Sequence, residues 1–337
     1  MKRLIVVALT LLSFCCTPTF AQTKKAPAKK SAATAPARPK GVISQNPYIG
    51  AVIVDADSGD VLFSSKPDVP GYPASTLKLM TLLLTLEKID AGQAKLTDPV
   101  PVSVKACKTG GSQIYLDPKE TFTLEDLLYA LMIQSANDAA VAIAEFVAGS
   151  TEAFVEQMNA KAQQLGMKNT RFSSVHGLPP SAGERPDIST ARDMAILSRE
   201  LCRHPATFTY TAAEHRQIRQ NTPKPFDMRT HNPFIKPSTK MSGCDGLKTG
   251  YTATAGYSIA VTCKRNNRRI IVYVLGSMDR KVRDEQAREL VNKGFTLLNE
   301  RNPAPTASEI QQPSSALPPP PPPAAPQHDF RIPVGRE

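Results

Sequence analysis

Ser75-Thr76-Leu77-Lys78 sets a hydroxyl and an amine three positions apart, so that on a helix both fall on one face within a single turn. At a helix N-terminus the first backbone N–H groups lack intrahelical acceptors and point where an oxyanion would form on the serine. The amine can take the serine proton if burial beside another cation leaves it neutral near pH 7. That is the chemistry of acyl transfer through a covalent serine ester. Standing alone, the same four residues read equally well as a capping serine followed by a surface lysine. A pattern this short arises by chance about once in a chain of this size.

Two further groups follow in order. Ser135-Ala136-Asn137 falls at a predicted helix–loop–helix junction, where the hydroxyl and the amide can reach a cleft, although a helix cap would also account for Ser135. Lys248-Thr249-Gly250 falls on a predicted strand, the glycine leaving room for a ligand backbone; a polar strand end is the plain alternative. Ser44-Gln45-Asn46 and Lys108-Thr109-Gly110 repeat two of these patterns in the wrong order and in expected loops. They are read as accidental, with Lys108–Ser112 a turn.

The elements that would hold these groups are strands at both ends of a domain and helices between. Ile49–Asp55 and Val61–Ser64 read as a hairpin around Asp57-Ser58-Gly59-Asp60. Ser75–Ile89, rich in Leu and Met and free of Gly and Pro, predicts a mostly buried helix starting near Ser75. Thr123, with Asp126 three positions on, caps a helix running into Leu127–Gln134. Asn137–Val147, Glu152–Leu165 and the amphipathic Thr190–Arg203 continue the helical region. Gly246–Gly250, Gly256–Cys263 and Arg269–Leu275 predict three antiparallel strands, and Val282–Asn299 a closing helix. The class is α+β, with one antiparallel sheet assembled from N- and C-terminal segments and a helical region inserted.

Taken together, the three groups resemble those of the penicillin-binding proteins of the D-alanyl-D-alanine carboxypeptidase kind, which share the serine β-lactamase fold. Pro73–Thr81 (PASTLKLMT), Ile133–Glu145 (IQSANDAAVAIAE), His176-Gly177-Leu178, Thr190–Ala195 (TARDMA) and Asp245–Tyr257 (DGLKTGYTATAGY) carry the likeness across about residues 42–298. The resemblance implies a β-lactamase/transpeptidase-like fold, with Ser75 as the acylated nucleophile and Lys78 as its general base. Ser135 would relay a proton toward the leaving amine, and Asn137 would bind the substrate peptide. Lys248 would supply positive potential and Thr249 would hold the terminal carboxylate. Beside Gly250, the N–H of Tyr251 would join that of Ser75 in an oxyanion hole. Arg229 is similar in context to an arginine that the family aims at the same carboxylate.

The implied substrates are peptidoglycan stem pentapeptides, with β-lactams as covalent inhibitors. A soluble D,D-endopeptidase cleaving cross-links with the same site, and a non-catalytic penicillin-binding or wall-binding protein, are the alternatives. A class A β-lactamase would need a deacylating glutamate on a loop after Ser-x-Asn, and Arg171–Ser181 (RFSSVHGLPPS) contains no acid. The larger carboxypeptidases of the family continue into a β-rich second domain and an amphipathic anchor, whereas a proline-rich stretch follows Asn299 here.

Charge and composition limit the other classes. The 337 residues carry a formal charge of +11, but Lys2, Arg3, Lys24, Lys25, Lys29, Lys30, Arg38 and Lys40 supply eight of those charges from residues 1–40, which hold no acid. The remainder is nearly balanced, which argues against a nucleic-acid partner. Residues 1–21, with Lys2-Arg3, an apolar Leu4–Phe14 too short to span a bilayer, and Thr19-Phe20-Ala21, read as a signal peptide cleaved after Ala21. The expected location is secreted and periplasmic, with no integral membrane segment after cleavage. Residues 22–41 read as a disordered basic linker, 42–300 as the folded domain, and 301–337, with 11 of the 30 prolines, as a stiff disordered tail. Five histidines without ligand spacing and no C-x-x-C imply neither metal nor cofactor.

In an oxidising compartment cysteines pair. If Gly246–Gly250 and Gly256–Cys263 form a hairpin with Lys248 opposite Tyr257, Cys244 faces about residue 261, and a register change of one or two residues brings Cys263 to it. A Cys244–Cys263 disulfide is therefore expected, with Cys107 and Cys202 left over.

Overall fold

The structure is a computed structural model and describes residues 43–220 and 222–301; the expected leader, basic linker and proline-rich tail lie outside them. Strands β1 (Gly50–Asp55) and β2 (Val61–Ser65) form the opening hairpin. The chain crosses Ser75 in a 3-10 turn, Ala74–Leu77, before α1 (Lys78–Asp90). A two-residue strand β3 (Pro99–Val100), a short α2 (Val104–Lys108), and β4 (Phe122–Thr123) precede α3 (Leu124–Tyr129). Helices α4 (Asn137–Ala148), α5 (Thr151–Gln164), α6 (Ala191–Cys202) and α7 (Ala206–Thr211) complete the inserted region. A small hairpin, β5 (His215–Ile218) and β6 (Phe226–Arg229), leads to β7 (Cys244–Thr252), β8 (Gly256–Arg265), β9 (Arg268–Ser277) and α8 (Arg280–Arg301).

The main sheet runs β2-β1-β9-β8-β7, with every neighbouring pair antiparallel. Its first and last segments meet in the middle, where Val52 faces Tyr273 across β1 and β9. Strand alternation divides the burial between two cores. Val52, Tyr273 and Leu275 join α1 and α6 on one face, while Ala51, Ile53, Val272 and Val274 join Val291, Phe295 and Leu298 of α8 on the other. Because both faces are covered, β1 and β9 are almost wholly buried and read as continuous apolar runs.

Most of the expected elements are present within a few residues of their predicted ends. The helix expected over Leu127–Gln134 ends instead in a π-helical turn, Ala130–Gln134, and hands Ser135 to a left-handed conformation at φ 60°. The β5–β6 hairpin, α2, α7 and the two-residue strands were not expected, because segments so short carry no periodicity long enough to read; Lys108, expected to open a turn, ends α2 instead.

Cys244 and Cys263 are bonded, with a Cα separation of 3.8 Å. The hairpin register differs from the expected one: Lys248 pairs with Ala260, and Tyr257 pairs with Tyr251. That register sets Gly246 opposite Thr262, and an irregularity between Cys244 and Gly246 then brings Cys244 opposite Cys263. The bond closes the end of β7 remote from Gly250.

Candidate active site

Ser75 is presented by a bent entry into α1. Ala74 takes a left-handed φ of 49°, unusual for a residue with a side chain, and the 3-10 turn follows at once. Thr76 Oγ1 donates to the Pro73 carbonyl at 2.7 Å and lies 2.6 Å from the Tyr273 hydroxyl, which ties the bend to the centre of the sheet. One turn on, Lys78 is fully buried at 0% exposure. Its Nζ lies 3.0 Å from Ser75 Oγ, 2.6 Å from Asn137 Oδ1 and 2.8 Å from the His176 carbonyl. Burial first, and the neighbouring Lys248 second, hold the Lys78 amine well below an ordinary lysine pKa, with Asp138 and Asp187 opposing. An amine so placed can accept the Ser75 proton through its lone pair.

The second group comes off the π-helical turn. The left-handed Ser135 turns the chain into α4, whose first residue, Asn137, faces Lys78. The Ser135 side chain is 4% exposed and takes part in no hydrogen bond among the described residues, which leaves its hydroxyl to the cleft. Asn137 is committed on both ends: Oδ1 accepts from Lys78, and Nδ2 donates to the Gly110 carbonyl at 2.8 Å. Its own N–H donates to the Ser112 carbonyl. The Lys108–Ser112 segment, read as an accidental motif in a turn, therefore frames the site through its carbonyls, and Ser112 lines the cleft.

The third group lies on β7. Lys248 is 2% exposed, its Nζ donates to the Thr249 carbonyl at 2.9 Å, and burial, followed by the charge of Arg283, pulls it down to about pKa 7. A Cβ on Gly250 would lie 2.8 Å from the Pro73 carbonyl oxygen and 3.1 Å from the Ser75 nitrogen. The room that this glycine leaves is filled by the Ser75 bend, not by a ligand backbone. The close approach sets the start of α1 directly against the strand that continues into Tyr251. Tyr251 stacks on Tyr257, its partner across the hairpin, with ring centroids 4.2 Å apart.

Ser75, Ser135, Thr249, Gly250 and Tyr251 thus line one open cleft. Arg229 does not. Its side chain is 76% exposed on β6 and paired with Asp227 at 2.8 Å. The residue of that segment that enters the cleft is His231, two positions on, beside Arg280 and Arg283 from the start of α8. No sequence signal marked His231. Arg283 fell within the predicted closing helix Val282–Asn299 and Arg280 just before it, but nothing in the helix period distinguished either.

A serine with a buried lysine one turn away whose amine is held well below its ordinary pKa, a second serine lining the same cleft, and a strand carrying a buried lysine packed on the Ser75 backbone are the parts that serine acyl transfer requires, set on a fold shared with penicillin-binding proteins. The D-alanyl-D-alanine carboxypeptidase family, peptidase S11, matches residues 42–279, and the chain belongs to that family. It is 39% identical over 246 residues to the D-alanyl-D-alanine carboxypeptidase DacF of Bacillus subtilis, covering 73% of this chain and 61% of that protein. To DacC of Escherichia coli it is 34% identical over 268 residues, 77% of this chain and 64% of the relative. The chain thus spans less than two thirds of the length of both relatives. Among solved structures, the DacD carboxypeptidase of Francisella tularensis superposes with a TM-score of 0.68 at 25% identity, covering 80% of this chain and 76% of that one. The ampicillin-bound penicillin-binding protein D2 of Listeria monocytogenes gives 0.64 at 28% identity, covering 73% and 96%.

Proposed function

We propose that this protein is a serine-type D-Ala-D-Ala carboxypeptidase that removes the terminal D-alanine from peptidoglycan stem pentapeptides, and that β-lactams acylate it at the same residue. The observation that carries the reading is the 3.0 Å approach of the buried Lys78 amine to Ser75 Oγ. Neutral Lys78 takes the Ser75 proton as Oγ attacks the carbonyl of the penultimate D-alanine. The N–H groups of Ser75 and Tyr251 hold the oxyanion, and Ser135 passes a proton to the departing D-alanine amine. Lys248 and Thr249 hold the terminal carboxylate, so the cleavage is confined to a C-terminal bond. Water then hydrolyses the Ser75 ester. Asn137 acts in this scheme by fixing the Lys78 amine through Oδ1, and the second hydrogen on its Nδ2 is left to bind the substrate peptide.

A location outside the cytoplasm agrees with the Cys244–Cys263 disulfide and with the leader pattern of residues 1–21. No helix among the described residues is long and apolar enough to cross a membrane. Incubation of the purified protein with a stem pentapeptide is the test. Release of free D-alanine that stops on prior treatment with penicillin is expected; penicillin binding without D-alanine release would leave a binding protein, and cleavage of cross-linked dimers alone would leave the endopeptidase.

A further inference from the structure

Residues 171–189 fold back on themselves beneath the Ser75 bend, closed by paired backbone hydrogen bonds between Arg171 and Ile188. Next to that bridge, Asp187 is 6% exposed, and nothing in the acyl-transfer scheme uses it. Its Oδ1 accepts from the N–H groups of Ser173 at 2.6 Å and Ser174 at 2.9 Å, and its Oδ2 accepts from Ser174 Oγ at 2.7 Å. Ser174 Oγ in turn accepts from the Gly177 N–H at 2.9 Å. Between them lies His176, whose carbonyl receives the Lys78 amine at 2.8 Å, and Val175, whose carbonyl receives Thr81 Oγ1 at 3.3 Å. Gly177, at φ +80°, presses so closely on the bend that a Cβ there would stand 2.3 Å from the Ala74 carbonyl oxygen. One carboxylate therefore sits at the root of the turn that touches both the general base and the backbone before the nucleophile.

We infer that Asp187 is a positioning residue for Lys78: through Ser174 it fixes the turn whose His176 carbonyl holds the amine on Ser75, and it places a negative charge behind that amine. The inference rests on the reading of Lys78 as the proton acceptor. The charged groups that face Asp187 are Arg171, from the bridge, and Lys78, from α1; His176, on the turn between, is held neutral by burial and by Lys78, at a pKa of about 4. Asp138, from α4, is the other carboxylate acting on Lys78. Burial pushes Asp187 up to about 6, against the hydrogen bonds from Ser173 and Ser174. Its charge, and the acceptor capacity that goes with it, are thus present above pH 6 and fade as pH falls through that value.

The test is the second-order rate of Ser75 acylation by a fluorescent penicillin, measured from pH 4.5 to 8.5 for wild type, Ser174→Ala and Asp187→Asn, with melting temperatures alongside. Ser174→Ala loosens the turn and leaves the charge at neutral pH and above, so the plateau rate should fall about tenfold; because the lost Ser174 hydrogen bond moves the Asp187 titration upward, no shift of the acid limb toward acid should accompany it. Asp187→Asn removes the charge as well, and its acid limb should shift by about one pH unit toward acid, because the ammonium form of Lys78 loses a supporting anion. A purely structural carboxylate would lower stability and the active fraction and leave the midpoint where it was. Wild-type rates in Ser174→Ala, or an unshifted limb in Asp187→Asn, overturn the inference; if Asp187→Asn does not fold, the Ser174→Ala rate decides. A wild-type protein not labelled on Ser75 would instead overturn the functional reading beneath it.

Discussion

Replacing Gly250 by alanine tests whether the strand and the nucleophile act as one unit. The added Cβ would meet the Pro73 carbonyl oxygen at 2.8 Å, the Thr76 nitrogen at 3.0 Å and the Ser75 nitrogen at 3.1 Å, all backbone atoms of the same bend. None of these can rotate away as a side-chain end would. Ordinary van der Waals contact begins near 3.4 Å, so β7 and the bend must separate by about 0.6 Å. That separation opens the distance between the Ser75 and Tyr251 N–H groups that hold the oxyanion in the proposed mechanism. An oxyanion donor is worth about 10²–10³ in rate, and a misplacement of about 1 Å costs about 10². A shift of this size should therefore lower acylation about 10- to 100-fold. Overpacking should cost about 1–3 kcal/mol of stability as well. The rate of labelling by fluorescent penicillin, measured at 20 °C on protein shown by circular dichroism to be folded, separates the two effects. A folded Gly250→Ala protein that acylates at the wild-type rate would refute the claim that this contact sets the site.

The remaining expectations are simpler. Lys78→Ala should lower Ser75 acylation about 10³-fold, the scale of a lost general base, with the rate read by the same label. Because burial holds Lys248 at about 7 in the folded chain against about 10.4 unfolded, its charge is lost as pH rises through 7; KM for a peptide with a free terminal carboxylate should rise there, by steady-state kinetics. The same shift means that the folded state binds fewer protons between about pH 7 and 10.4, so Lys248 contributes a stability term that increases with pH across that window, which urea titrations can follow. Replacing Cys244 and Cys263 by serine opens a loop of sequence separation 19 and should cost about 3 kcal/mol, lowering the melting temperature by roughly 6–12 °C in a scan without reductant.

What the sequence revealed, and what it did not, follows from the range of the forces involved. The apolar runs of β1 and β9 and the long helices announce themselves through local periodicity, and Ser75, Lys78, Ser135, Lys248 and Thr249 stand in motifs whose spacing reflects one face or one strand. The Cys244–Cys263 bond was reachable for the same reason, although the register that permits it depends on an irregularity at Asp245 that no alternation pattern encodes. Arg229 and His231 show the limit. They are two residues apart on either side of buried Thr230, and which of them enters the cleft depends on where β6 ends and the chain turns. The glycine of Lys248-Thr249-Gly250 was recognised for the wrong reason, because its steric partner, the Ser75 bend, lies 175 positions away in sequence. Asp187 carried no signal, since a carboxylate that accepts backbone N–H groups looks in sequence like any acid in a polar loop.

The covalent ester proposed on Ser75 is tested most directly by intact-mass spectrometry of the protein after brief exposure to benzylpenicillin, followed by peptide mapping. One adduct per chain is expected, on the peptide containing Ser75-Thr76-Leu77-Lys78, and none in Ser75→Ala. An adduct on Ser112, Ser135 or any other residue, or undiminished labelling of Ser75→Ala, would contradict it.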